Sequence, residues 1–213
     1  MCIRDRTNTV KDAGGNTIFT SDGAGTLSSI NSSLSGNMVY INKATASGST
    51  SLTFSSGIDS TYDEYVFCFV NIHPATDNAA LSFQVNAVGG SDFDETMTTT
   101  FFNASHYEND SSSSLNYVAD SDQSGGTAYQ KLGYGIHNGS DGCGSGILHL
   151  FAPGSTTYVK HFYSRFNEMY NGPLSGDRYV AGYINTASAI DEIDFKMTSG
   201  NMDAGTIYLY GIK

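Results

Sequence analysis

The stretch Glu64-Tyr65-Val66-Phe67-Cys68-Phe69-Val70-Asn71-Ile72-His73 decides the fold class. It is rich in β-branched and aromatic side chains and apolar on both parities, as a central strand covered on both faces should be. A second run, from Ala80 to Val88, places Leu81, Phe83, Val85 and Ala87 on one face and Ser82, Gln84 and Asn86 on the other, then closes with Gly89-Gly90-Ser91. That is a half-buried strand ending in a turn. Working outward, the same reading predicts strands over residues 37–43, 51–55, 97–107, 128–134, 146–152, 157–166, 178–185, 192–198 and 206–212, eleven in all. No window carries a convincing i, i+3, i+4 apolar stripe. Joints such as Pro153-Gly154-Ser155 and Ser199-Gly200-Asn201 are short, which favours antiparallel neighbours. Two longer polar stretches, 109–126 and 135–145, read as exposed loops. With no internal repeat, the expected fold is all-β, a two-sheet antiparallel β-sandwich of jelly-roll type with about 8–11 strands and little or no helix.

Composition bounds the function. The chain has 213 residues, of which 39% are hydrophobic and only 15% charged. Its 26 aromatics, 14 Tyr and 12 Phe without a Trp, suffice for a core. Lys and Arg total 10 against 21 Asp and Glu, a net charge of −11 and a pI of about 4.5. Such a chain repels phosphate backbones and anionic lipid, so neither nucleic acid nor membrane is an expected partner. No apolar run reaches the roughly 18–20 residues of a membrane span, and no secretory signal is expected. Met1-Cys2-Ile3-Arg4-Asp5-Arg6 resembles translated sequencing-adapter read-through and is set aside. Residues 7–36, polar with sparse Ile18, Phe19, Leu27, Ile30 and Leu34, read as an N-terminal arm or attachment segment that orders on a partner. Residues 37–213 then form one sandwich domain. Cys68 and Cys143 are expected to be free thiols.

The most enzyme-like string is Asp191-Glu192-Ile193-Asp194-Phe195. It is similar to the alternating carboxylate strand of jelly-roll glucanases, where paired carboxyls serve as nucleophile and acid/base. Met197 occupies the third carboxylate position, so the set is incomplete. The alternation instead predicts Glu192, Asp194 and Lys196 facing solvent and Ile193, Phe195 and Met197 facing the core. Asp120-x-Asp122-x-Ser124-Gly125 has the oxygen-rich start of a calcium loop, but Lys131 stands where the closing acid is required. His73, His106, His137, His149 and His161 lack metal-ligand spacing, although His149 and His161 fall on neighbouring strands and could face each other. No catalytic residue, cofactor or metal is expected.

The tyrosines are the remaining clue. Tyr158, Tyr163, Tyr179, Tyr183, Tyr208 and Tyr210 place amphipathic rings along the late strands, as core edge, subunit interface or ligand platform. Several segments carry a family resemblance: Ser56 to Tyr65, Asn71 to Asp77, Leu148 to Phe151 with Thr156 to Tyr163, and the tail from Tyr179 to the closing Gly205-Thr206-Ile207-Tyr208-Leu209-Tyr210-Gly211-Ile212. Together they resemble virion structural proteins of marine bacteriophages. The resemblance implies a non-enzymatic particle component, a capsid decoration protein or a head- or tail-attached fibre module. It further implies a homo-oligomer, a trimer, that contacts capsid or tail proteins on the virion exterior. A jelly-roll adhesin binding cell-surface glycan is the alternative, and a degenerate glucanase-like enzyme on Glu192 and Asp194 is a third reading.

Overall fold

The computed structural model describes residues 8–24, 26–28, 30–31, 36–170 and 172–213. The leading hexapeptide and Leu34 lie outside these residues. Between Val39 and Tyr40 the chain divides into two compact units.

In the first unit, β1 (Thr9–Lys11), β2 (Thr17–Ser21) and β3 (Leu27–Ser28) form an antiparallel sheet. Asp12 builds its first turn, accepting the Asn16 backbone amide at 2.8 Å and Asn16 Nδ2 at 2.9 Å, with Gly15 at φ 84°. These bonds hold the Asp12 carboxyl below its ordinary range. The expected arm thus has strands of its own, because an Asx turn and the alternating Thr-Ile-Phe-Thr run supply local pairing that composition does not reveal.

In the second unit, β4 (Met38–Thr45), which starts at the boundary, β5 (Leu52–Phe54), β6 (Glu64–Pro74), β7 (Leu81–Ala87) and β8 (Met97–Tyr107) are followed by three short strands. These are β9 (Ser113–Tyr117), β10 (Ser124–Gly126) and β11 (Gln130–Lys131). The chain ends with β12 (Gly144–Phe151), β13 (Lys160–Tyr170), β14 (Leu174–Ile184), β15 (Ile190–Met197) and β16 (Met202–Ile212). A large sheet runs β10-β8-β14-β13-β12-β6-β16-β4, with β9 also on β8, and a four-stranded sheet runs β11-β7-β15-β5. The pairings from β8 through β16, and all those of the smaller sheet, are antiparallel. The all-β antiparallel sandwich expected from the alternation is therefore present, and no helix forms among the described residues. Without β8–β10 and the β13–β14 hairpin, the interleaved orders β4-β16-β6-β12 and β5-β15-β7-β11 remain.

Aromatic rings join the two sheets. Phe195 of β15 lies 5.3 Å from both Phe67 and Phe69 of β6, 6.2 Å from Phe54 and 6.3 Å from Phe83, edge to face with Phe54 and Phe69 and tilted against Phe67 and Phe83. Phe83 meets Phe162 of β13 at 5.0 Å. Such contacts bury large apolar area and add ring-quadrupole attraction.

Two strands differ from expectation in their cover. β6 is central, with Tyr65, Phe67 and Phe69 buried on one face, but its other face is covered only in part: Val66 is buried, Cys68 half-buried and Val70 exposed. β7 is buried at every position, polar face included. Gln84 Nε2 donates to the carbonyls of Glu95, Thr127 and Ala128 at 3.0–3.2 Å, so chain from outside the strand roofs that face. The 109–126 stretch is not all loop, since β9 and β10 pair with β8, and the 128–134 strand shrinks to β11.

Tyr65 ties β6 to the preceding loop. Its hydroxyl accepts the Asp59 amide at 3.0 Å and donates to Asp59 Oδ1 at 2.8 Å. Burial pushes its pKa up to about 12. Because the folded value lies above the unfolded value near 10, the stabilisation is complete below pH ~10 and is lost as pH rises toward 12. We expect alkaline denaturation in that window, with about 2 kcal/mol from Tyr65. In denaturant melts at stepped pH, Tyr65→Phe should lose stability at neutral pH and show a shallower alkaline decline. An unchanged alkaline slope would refute the assignment.

Candidate functional site

Strand parity gathers side chains on the outer face of the large sheet. β13 alternates Phe162, Ser164 and Phe166 inward with His161, Tyr163 and Arg165 outward. Cross-strand pairing then builds rungs across that face. One runs Tyr208, Cys68, Ile147, Arg165, Tyr179, Phe102 and Tyr117, and the next runs Tyr210, Val66, His149, Tyr163, Ala181 and Thr100.

The rings in these rungs are mutually stacked. Phe102 and Tyr179 lie parallel at 4.9 Å and 5°. Tyr163 stacks on His149 at 4.4 Å and approaches Phe151 at 5.7 Å. Tyr208 and Tyr210 stack at 6.5 Å, and Tyr40 meets Tyr210 edge to face. Phe102 and Tyr163 nonetheless expose 40% and 44% of their surface. Between the ridges lie two hollows that share Tyr163 and Ala181. One, of about 430 Å³, is walled by Phe151, His161, Tyr163 and Tyr183. The other, of about 310 Å³, lies among Phe102, Tyr163 and Tyr179.

Charge on this face is tied up. Arg165 grips Asp177 through Nε at 3.1 Å and Nη2 at 2.7 Å and lies 5.3 Å from the Tyr179 ring centre. The Tyr179 hydroxyl donates to Asp177 at 2.9 Å, which pushes its pKa up. His149 Nδ1 is paired with Glu64. Burial raises the Cys68 thiol, which makes it a poor nucleophile. What the face offers is aromatic area with its ions already partnered.

No protein-family model matches this chain, and no curated protein or solved structure is significantly similar to it.

Five of the six tyrosines singled out from sequence, Tyr163, Tyr179, Tyr183, Tyr208 and Tyr210, share this outer face. Tyr158 does not. It precedes β13 in the turn after Pro153-Gly154 and is 74% exposed. Phe102, Phe151 and the Arg165–Asp177 pair were missed, though extending the alternation of 97–107, 146–152 and 157–166 across neighbouring strands would have placed Phe102, Phe151 and Arg165. The two histidines do not face each other. Each meets a tyrosine, His149 with Tyr163 and His161 with Tyr183, because the register sets those residues opposite.

The carboxylates of β15 are placed otherwise than expected. Asp194 is 4% exposed and accepts Thr53 Oγ1 at 2.5 Å and the Tyr129 hydroxyl at 3.0 Å. Glu192 accepts Asn86 Nδ2 at 3.0 Å, and Lys196 Nζ sits 3.6 Å from the Tyr129 ring centre. The chain that roofs β7 also covers Asp194, so solvent does not reach it as alternation predicted. The Tyr129 pKa rises through burial and the adjacent Asp194. Asp122 of the calcium-like stretch accepts the Tyr117 hydroxyl, and no cluster of three or more metal-ligating side chains occurs among the described residues.

Proposed function

We propose that this chain is a non-catalytic structural component of a virus particle, a capsid decoration or head- or tail-attached fibre module. It works by self-association, as a trimer, and by attachment to capsid or tail proteins. The particle assignment rests on the segments that resemble phage virion proteins. The interleaved orders β4-β16-β6-β12 and β5-β15-β7-β11 support the jelly-roll reading, in which two Greek keys interlock.

The observation that carries self-association is the aromatic outer face of the large sheet. Exposed apolar patches of this extent mark contact surfaces. Copies carrying −11 repel one another, so they meet best where charge is cancelled, and the Arg165–Asp177 pair leaves the centre of this face neutral. Tyr and Phe are also the side chains that anchor interfaces, at about 2 kcal/mol or more each.

Light scattering at micromolar concentration should return the mass of a trimer. The double variant Phe102→Ser, Tyr163→Ser should sediment as a monomer with little change in melting temperature, its dissociation constant raised about 30-fold or more per residue. A wild-type chain that stays monomeric at that concentration rules the reading out.

A further inference from the structure

A second cleft lies on the core-side face of the same sheet, beside β9. We propose that it binds a neutral pyranose sugar. This inference stands apart from self-association, which uses the opposite face.

Two adjacent rungs build the floor. Arg178 of β14 pairs with Asn103 of β8, which pairs with Asn116 of β9. On the next rung Gly176 pairs with Ser105 and Ser105 with Ser114. The rings of Tyr134 and Tyr170 form the wall, and the cleft measures about 330 Å³, enough for a hydrated sugar ring. Tyr134 is 40% exposed, which leaves part of its ring open to the cleft for contact with a sugar.

Arg178 supplies the independent observation. Its side chain is 3% exposed, and its one hydrogen bond runs from Nε to Glu168 Oε1 at 2.8 Å. Neither Nη group donates to an acceptor among the described residues, and neither is among the fully buried polar atoms left without a partner, so both reach the solvent of the cleft. They are donors that a ligand's hydroxyls can take over from water. Gly176 makes the space, since a Cβ there would stand 2.3 Å from Nη2. Tyr134 and Tyr170 hold the group from the sides, with ring centres 5.3 and 5.8 Å from Cζ.

The donor set selects the ligand. Glu168 already balances the guanidinium charge, and the chain as a whole is acidic, which together disfavour an anion. The Nη donors and the Asn103 carboxamide, beside a chain in which Asn116 Nδ2 donates to Ser114 Oγ at 3.1 Å and the Ser114 and Ser105 hydroxyls bond at 2.7 Å with lone pairs to spare, match the vicinal hydroxyls of an uncharged sugar. The Asn103 side chain has no hydrogen-bond partner among the described residues, so it is available to a ligand.

The test is calorimetric titration of the full chain with the methyl pyranosides of glucose, galactose and mannose, and with glucuronate as an anionic arm. We expect at least one methyl pyranoside to bind more tightly than glucuronate. Asn103→Ala and Tyr134→Ala should each weaken it about tenfold without lowering the melting temperature. Tyr134→Phe, which keeps the ring, should retain binding. Absence of binding by all three methyl pyranosides, a preference for glucuronate, or binding indifferent to both alanine variants would each overturn the proposal.

Discussion

Phe195→Ala lowers the unfolding free energy by about 3–5 kcal/mol, the cost of emptying a large aromatic site that the surroundings cannot refill. Phe195 is fully buried and is the ring in contact with Phe54, Phe67, Phe69 and Phe83, so its removal loosens both sheets at their shared centre. Those four neighbours sit on three strands held in register by backbone pairing, which restrains them from collapsing into the void. Phe195→Leu keeps most of the volume and should cost markedly less. Equilibrium urea unfolding, read by far-ultraviolet circular dichroism, gives both values. A loss below about 1 kcal/mol for the alanine variant would show that Phe195 is not the hub of the core.

Glu168→Ala should cost a similar amount, about 3–5 kcal/mol, for an electrostatic reason. Arg178 is 2% exposed and Glu168 is 1% exposed, so deleting the carboxylate strands a buried positive charge. The same carboxylate accepts the backbone amides of Tyr134 at 2.9 Å and Gly135 at 3.1 Å, and these too are orphaned. Replacing both partners together, as Glu168→Leu with Arg178→Met, should recover much of the loss, because an apolar pair of similar volume avoids desolvating ions. The double-mutant cycle measures this coupling directly. Independent, additive losses would contradict the account. Sugar binding by the double variant should also vanish, since the Nη donors go with Arg178.

Glu168 and Arg178 show where sequence reading stops. Both fall on the parity that faces the core, beside Phe166 and Val180, but the predicted strand over 157–166 ends before Glu168. What alternation could not state is that each would find the other across β13 and β14, with Gly176 leaving room for the guanidinium. Lys160 is a parallel case. It is fully buried, donates to the Tyr158 and Thr186 carbonyls at 3.0 and 3.1 Å, and has its pKa pushed down by burial. Charged residues are rarely fully buried, so composition argues against such positions until the partners are seen.

The outer tyrosines were legible for the opposite reason. Period-two alternation is a property of the extended backbone, so Tyr163 shares a face with His161 and Arg165 whatever strand lies alongside. It also told which residues of β7 and β15 would line the core. The all-β class and the turn positions follow from residue type and local spacing, both of which a strand carries within itself.

Cover and company are different, because they are relations between distant segments. Asp194 alternates as a solvent-facing residue, yet Thr53, 141 positions earlier, and Tyr129, 65 positions earlier, close over it. The polar face of β7 is buried by chain that follows the strand. Local sequence therefore determined that this protein is a sandwich of alternating strands and which side chains share a face. Tertiary structure alone decided which faces lie under other chain and which polar groups pair there, since burial depends on what packs above a residue.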